Sequence, residues 1–300
     1  LFHPGYVFAS VQPTRGCPMH CDFCSVTAFN GSQYRYRPIP EVIAEMQEIP
    51  QKNLFILDDN IVGYSAKAQA RAIELFRAMI TAGIKKDWIG QASLNVADNE
   101  EVLKYAAKSG CRMLFIGIES EREDQLTGAN KRLNVKMGVD SYDHVFRKMH
   151  KYGIAVIAGF IFGWENDTID RIDHRVQFTR ECLADSIQST LLTPLPGTRL
   201  FERMKNEGRL VMNNFPGDWK HYGYESLVFN PTTMDRLEMQ QYIFKVFDKV
   251  YEPSFLKRRM FRTWWRTGSF ITAYWSYMSN WNYRSMAFGN IRKPKNWLLD

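Results

Sequence analysis

Six short, almost uninterrupted apolar runs alternate with amphipathic helical patterns, and this alternation constrains the fold more than any other feature of the chain. The runs are Tyr6–Gln12, Asn53–Leu57, Trp88–Ser93, Met113–Ile118, Ile154–Phe162 and Ser186–Leu192. Strands apolar on both faces belong in a parallel sheet covered by helices on its outside. Between the runs, Ala68, Ala72, Leu75, Phe76, Met79 and Ile80 mark the buried face of one helix. Val139, Tyr142, Val145, Phe146 and Met149 mark that of another. Gly83, Gly110 and Gly153 supply helix stops just before strands, and Asp98 is an expected N-cap. Six strand–helix units joined by right-handed crossovers build either a barrel or an open doubly wound sheet. The rhythm ends after a helix at about 198–207. An irregular stretch to about 233 follows, with Pro216-Gly217 and Asn230-Pro231 as turn signals, and then a helix over Asp235–Tyr251 limited by Pro253. This predicts a core over residues 1–208 and an accessory region over 209–300.

Composition narrows the class. With 300 residues, 45% hydrophobic and 24% charged, the chain can bury a full core, and nothing in it reads as disordered. No stretch reaches the roughly 20 apolar residues of a membrane span. The chain opens on Leu1, not Met, with a strand almost at once, which predicts a segment upstream. Five cysteines, three of them within eight positions, suit a reducing cytoplasm and a metal site better than a disulfide framework. The net charge of +7 belongs to the end of the chain. From Pro253 onward there are nine Lys or Arg against Asp300 alone, together with Trp264, Trp265, Trp275, Trp281 and Trp297.

The chemistry is concentrated in Gly16-Cys17-Pro18-Met19-His20-Cys21-Asp22-Phe23-Cys24, directly after the first run. Spacings of three and two residues between cysteines let three thiolates converge on one metal centre, and thiolates are the ligands of iron–sulfur clusters. The alternative is zinc held by the three thiolates and His20. In α/β sheets and barrels, chemistry gathers at the carboxyl ends of strands, where this loop lies. Cys111 and Cys182 fall at the opposite end and read as buried fillers. A cubane held by Cys17, Cys21 and Cys24 would therefore keep one iron open.

A C-x3-C-x2-C loop with an aromatic before its last cysteine, after strand one of a β/α series, resembles the radical S-adenosylmethionine (SAM) superfamily. Five further segments stand in family order: Phe55–Asn60, Ala92–Asn95, Phe115–Ser120, Gly159–Gly163 and Pro194–Thr198. They resemble the cobalamin-dependent class that includes the hopanoid C-2 methylase and the anaerobic porphyrin cyclase. The resemblance implies an α/β fold, a partial (β/α)6 TIM-like barrel with a mainly helical C-terminal accessory region. It also implies a [4Fe-4S] cluster on Cys17, Cys21 and Cys24 whose open iron binds SAM. One electron from a flavodoxin or ferredoxin would then cleave SAM to methionine and a 5'-deoxyadenosyl radical. Cobalamin is a further candidate, although the domain that usually binds it is outside this chain.

By the same resemblance, Asp58, Asp59 and Asn60 would accept from the SAM ammonium, with turn chemistry as the alternative. Glu119 and Ser120 would meet the ribose or amino-acid part of SAM, with a structural ion pair as the alternative for Glu119. Ser93 would face the same cavity with Asn95. Gly159 and Gly163 would let adenine approach strand five, or simply relieve crowding. Phe23 would pack near adenine or shield the cluster. The basic aromatic tail allows three readings: barrel core, contact with an anionic membrane, or binding of RNA. The function implied is a cytoplasmic, oxygen-sensitive enzyme, peripheral to the inner membrane face on the second reading. It would start radical chemistry, of which methylation is one form, on a hydrophobic or lipid-derived metabolite. The alternatives are an RNA-modifying radical SAM enzyme and a non-catalytic, metal-stapled nucleic-acid-binding protein.

Overall fold

In the computed structural model, which describes residues 7–291 and side chains as far as residue 287, the six apolar runs form one parallel sheet. Its strands are β1 (Phe8–Val11), β2 (Asn53–Ile56), β3 (Asp87–Ala92), β4 (Cys111–Glu119), β5 (Ala155–Phe162) and β6 (Ser186–Leu191), adjacent in sequence order. Tyr6, Arg292, Lys293, Lys295, Trp297 and Asp300 lie outside the described residues. Each strand is followed by a helix on the outer face: α1 (Ile39–Glu48), α2 (Ala66–Thr81), α3 (Glu100–Lys108), α4 (Tyr142–Lys151), α5 (Ile169–Glu181) and α6 (Arg199–Asn206). Among the described residues β1 and β6 share no ladder, so the barrel is partial.

The glycine stops hold: Gly83, Gly110 and Gly153 all have positive φ. Two local expectations need correction. Asn99, not Asp98, caps α3, its side chain accepting from the Glu101 N–H, while Asp98 ends a preceding 3-10 turn. Ile80 is exposed, because the buried face of α2 ends at Met79. A two-residue antiparallel ladder between Thr14–Arg15 and Arg35–Tyr36, too short for a periodic signal, folds the cysteine loop back on itself.

The main core lies between the sheet and its helices, with Trp88 fully buried against Phe76. Beyond α6 come α7 (Arg236–Val250), α8 (Pro253–Thr267) and α9 (Phe270–Ile291), with Pro253 starting α8 rather than merely ending α7. Helix α9 closes the barrel from the side of the strands' amino ends. Its Trp275 and Tyr283 pack with Met113, Ala155 and Ile157, and the Tyr283 hydroxyl bonds Gln188 at 2.8 Å. The barrel-core reading of the tail thus holds for Trp275 and Tyr283, whereas Phe261, Trp264, Trp265 and Phe270 are exposed. The same region also covers the free edge of β6. The outward N–H groups of Ile187, Ser189 and Leu191 donate to Asn280 Oδ1, the Tyr251 hydroxyl and Tyr224 O at 3.2, 3.1 and 3.0 Å. No described helix is long and apolar enough to cross a membrane.

Candidate active site

The cysteine loop leaves β1 at the carboxyl end of the sheet and is clamped from four sides. Gly16 must be glycine: its φ is +96°, and a Cβ there would lie 2.2 Å from Gln33 O. The Gly16 N–H donates to Asp59 Oδ2 at 3.0 Å, the Cys17 N–H to Gly31 O, and the Asp22 N–H to Ala129 O. Asn130 Nδ2 donates to His20 O at 2.8 Å. His20 itself is half-buried with φ +53°.

Cys17, Cys21 and Cys24 are free thiols of intermediate exposure, and burial pushes each above its ordinary pKa. Cys111 opens β4 and Cys182 ends α5; both are buried away from the loop. Among the described residues no three His, Cys, Asp or Glu side chains group closely enough to share one metal ion. The donor set fits a cluster, whose thiolates each bind a separate iron corner.

Beside the loop opens a cavity of about 310 Å³ that brings Phe23, Cys24 and Glu119 together. Ile161, Leu191 and Leu192 are among its apolar walls, with Ser25, Gln188, Thr190, Thr193 and Tyr224 as polar points. Glu119 ends β4 at a bulge with φ +66° and accepts from Lys131 Nζ at 2.7 Å. Burial acts to lower the Lys131 ammonium, but the Glu119 carboxylate, with Cys21 and Tyr64 adding to it, more than offsets the burial and holds its pKa above the ordinary value. Gly117 makes room for the pair: a Cβ there would lie 2.3 Å from Glu119 Oε1 and 2.9 Å from Lys131 Nζ. Phe23 meets Trp164 edge-on at 6.2 Å and has the Lys131 ammonium 5.8 Å from its ring centre.

Other expected contacts turn inward. Asp58 is fully buried, with Oδ1 accepting from the Thr14 N–H at 2.8 Å and Oδ2 unpartnered; burial raises its pKa to about 7. Asp59 holds Gly16 and Asn30. Asn60 makes a turn, accepting from the Val62 and Gly63 N–H groups, and donates to Ser93 Oγ at 3.1 Å. Ser93 also bonds the Tyr64 hydroxyl at 2.7 Å. In this structure the Asp58–Asn60 turn thus anchors the cysteine loop. Asn95 Nδ2 is spent on Gly63 O.

Ser120 is engaged inside the protein. It is fully buried and donates to Gln125 Oε1 at 2.7 Å, within a network centred on Arg175. Gly159 and Gly163 relieve crowding. A Cβ at Gly159 would meet the Phe115 ring at 2.5 Å, and one at Gly163 would meet Leu227 at 2.7 Å. Sequence reasoning missed Lys131, Tyr64, Gln188 and Thr190. The last two carry a signal, since polar residues alternate along β6 and so mark its inward face; Lys131 carries none.

With the geometry in hand, comparison with known proteins is informative. The signature of the Radical SAM superfamily matches residues 11–179, and that of a domain of unknown function, DUF4070, matches residues 198–289. The bacteriochlorophyllide d C-12(1)-methyltransferase of Chlorobaculum tepidum is 31% identical over 83% of this chain and 53% of its own length. The hopanoid C-2 methylase of Rhodopseudomonas palustris is 29% identical over 69% of this chain and 39% of its own length. This chain therefore spans about half, or less, of the length of these curated relatives. In fold it is similar to the radical S-adenosylmethionine methyltransferase TsrM from Kitasatospora setae, solved with cobalamin and a [4Fe-4S] cluster. The TM-score is 0.59 at 18% identity, covering 67% of this chain and 39% of that one. The three-cysteine loop at the carboxyl ends of six parallel strands and the matched span agree: the chain belongs to the radical SAM superfamily.

Proposed function

We propose that this chain is the catalytic barrel of a radical SAM enzyme of the cobalamin-dependent class, initiating radical chemistry, including methylation, on a hydrophobic metabolite. Residues 1–208 form the catalytic core in this reading, and 209–300 close it. The observation that carries the proposal is the clamped loop that presents Cys17, Cys21 and Cys24 beside a largely apolar cavity. The three thiolates would hold a [4Fe-4S] cluster, which when bound supplies the electron that cleaves the SAM sulfonium.

The chain's own residues do the rest. The Glu119–Lys131 pair sets charge beside the cluster loop and offers both an acceptor and a donor to the amino-acid part of SAM. Phe23 and Trp164 cover the loop from outside, and Ile161, Leu191 and Leu192 keep the chamber dry, which a carbon radical requires. Relatives named for bacteriochlorophyllide and hopanoid methylation support a large apolar substrate. A flavodoxin or ferredoxin would be the electron donor, and cobalamin would be an additional cofactor.

The test is anaerobic reconstitution with iron and sulfide, followed by SAM and dithionite. The expected result is four irons per chain and release of 5'-deoxyadenosine, both lost in Cys21→Ala. Zinc in place of iron and sulfide, or a reconstituted cluster with no turnover of SAM, would refute the proposal in favour of a structural metal.

A further inference from the structure

The accessory helices carry a second assembly of groups that catalysis does not use. Between α5, α7 and α8 lies a cavity of about 650 Å³ lined by Arg180, Lys249, Arg258, Arg259 and Arg262. Of its two acids, Asp173 accepts from the Tyr242 hydroxyl through Oδ2 at 2.7 Å, with Oδ1 lying 3.9 Å from Lys249 Nζ, and Glu181 accepts from Gln177 Nε2 at 2.8 Å. Arg259 is the telling member. Its guanidinium is fully buried, lies 4.6 Å from the Phe255 ring centre and donates from Nη2 to Thr179 O, while among the described residues Nε and Nη1 have no hydrogen-bond partner and no carboxylate pairs with it. Burial pushes its pKa down to about 10. A buried cation without a counter-ion is costly, and an anion in the cavity would remove that cost.

The outer side of the same helix is aromatic. Phe261, Trp264 and Trp265 project from α8, and Phe270 and Tyr274 continue the patch on α9, where Trp264 and Phe270 meet at 6.1 Å and Phe270 stacks on Tyr274. Trp265 is 89% exposed and Phe270 60%. Lys257 and Arg258 flank the rings on the exposed face. Singly exposed apolar residues are ordinary, but a contiguous aromatic patch edged by cations is not. Tryptophan and tyrosine favour the headgroup zone of a bilayer, and arginine meets lipid phosphate there.

We propose that the α8–α9 corner docks on an anionic bilayer, the arginine-lined cavity taking a headgroup phosphate while Trp264, Trp265 and Phe270 enter the interfacial zone. Arg262 bonds Cys182 O at 3.1 Å, just before β6 begins, so this face lies toward the amino ends of the strands. Docking therefore leaves the mouth beside the cysteine loop clear. The proposal rests on no feature of the catalytic site.

Co-sedimentation of the full chain with phosphatidylglycerol vesicles and with neutral phosphatidylcholine vesicles tests it. Binding is expected to the anionic vesicles only and to weaken with salt. Each neutralised cation should cost about fivefold in partition, so R258Q/R262Q should bind roughly 25-fold more weakly. W264A/W265A, both exposed positions, should bind at least tenfold more weakly while keeping a wild-type circular dichroism spectrum. If R258Q/R262Q fails to fold, K257Q/R258Q, which alters only exposed side chains, takes its place. Equal binding to both vesicles, or anionic binding unmoved by either variant, overturns the proposal. So does retention of inorganic phosphate without vesicle binding, RNA binding through the same arginines in the absence of vesicle binding, or a dimer that W264A/W265A dissolves.

Discussion

Arg175→Met should destabilise the protein more than any other single polar substitution near the site. The Arg175 guanidinium is fully buried, donating from Nε to Glu121 at 3.0 Å and from Nη1 to Asp167 at 2.8 Å. Nη2 reaches Gln125 and Ser120, and Asp167 in turn accepts from the Gly163 and Trp164 N–H groups at 3.1 and 3.0 Å. One cation on α5 thus ties the ends of β4 and β5 together. Methionine fills the space but leaves two buried carboxylates unpaired, a change that costs about 3–5 kcal/mol. A 300-residue chain unfolds with an entropy of roughly 0.6 kcal/mol per kelvin at its midpoint, so the melting temperature should fall by about 5–8 °C. Differential scanning calorimetry reads this directly. Removing the orphaned charges in R175M/E121Q/D167N should recover most of the loss, because the penalty comes from unpaired ions and not from missing volume. A fall below about 2 °C for R175M, or a triple variant no better than the single, would refute the reasoning.

Three further outcomes follow from the site and its supports. Asp58 has a folded pKa near 7, above its unfolded value, so the folded state binds the proton more tightly. Stability should therefore fall as pH rises from about 4 to 7, by on the order of 2–4 kcal/mol, and Asp58→Asn should abolish that slope. Melting of both proteins at pH 4 and pH 8 checks this: the variant should gain on wild type only at the higher pH. Gly117→Ala puts a methyl group where Glu119 and Lys131 meet, but both can swing away. Melting should change by little, whereas SAM binding measured by equilibrium dialysis should weaken about tenfold, the worth of one charge-assisted hydrogen bond. Tyr251→Phe strips the hydroxyl that accepts from the Ser189 N–H and donates to Ile187 O, at a cost of about 2–4 kcal/mol by urea denaturation.

The strands were legible mainly because their buried positions write short apolar runs, most fully in β5, where every residue is buried. The glycine stops were legible because left-handed backbone selects that residue. The cysteine loop was legible because three cysteines lie within eight positions. What could not be read was pairing across distance. Lys131 reaches Glu119 only through the bulge at the end of β4, and no periodicity marks it. Asp58 and Asp59 have the composition of a ligand-facing turn, and the two-residue ladder at Thr14–Arg15 folds the loop over them, so that Asp58 Oδ1 and Asp59 Oδ2 accept from its backbone. Gly159 lies open in the sequence, but Phe115 on the neighbouring strand fills its space. In each case the contact comes from a separate element that no sequence pattern links to the residue.

The covered edge of β6 bears on how such proteins can be rearranged. Asn280, Tyr251 and Tyr224 act as three rungs of a missing seventh strand, each supplied by a different part of the accessory region. A barrel cut free at the end of α6 would leave the Ile187, Ser189 and Leu191 N–H groups bare, as a template on which other chains could assemble. Grafting a foreign accessory region would succeed only where the newcomer brought acceptors at the same three heights. Recombination between relatives is thereby restricted to partners that share this key.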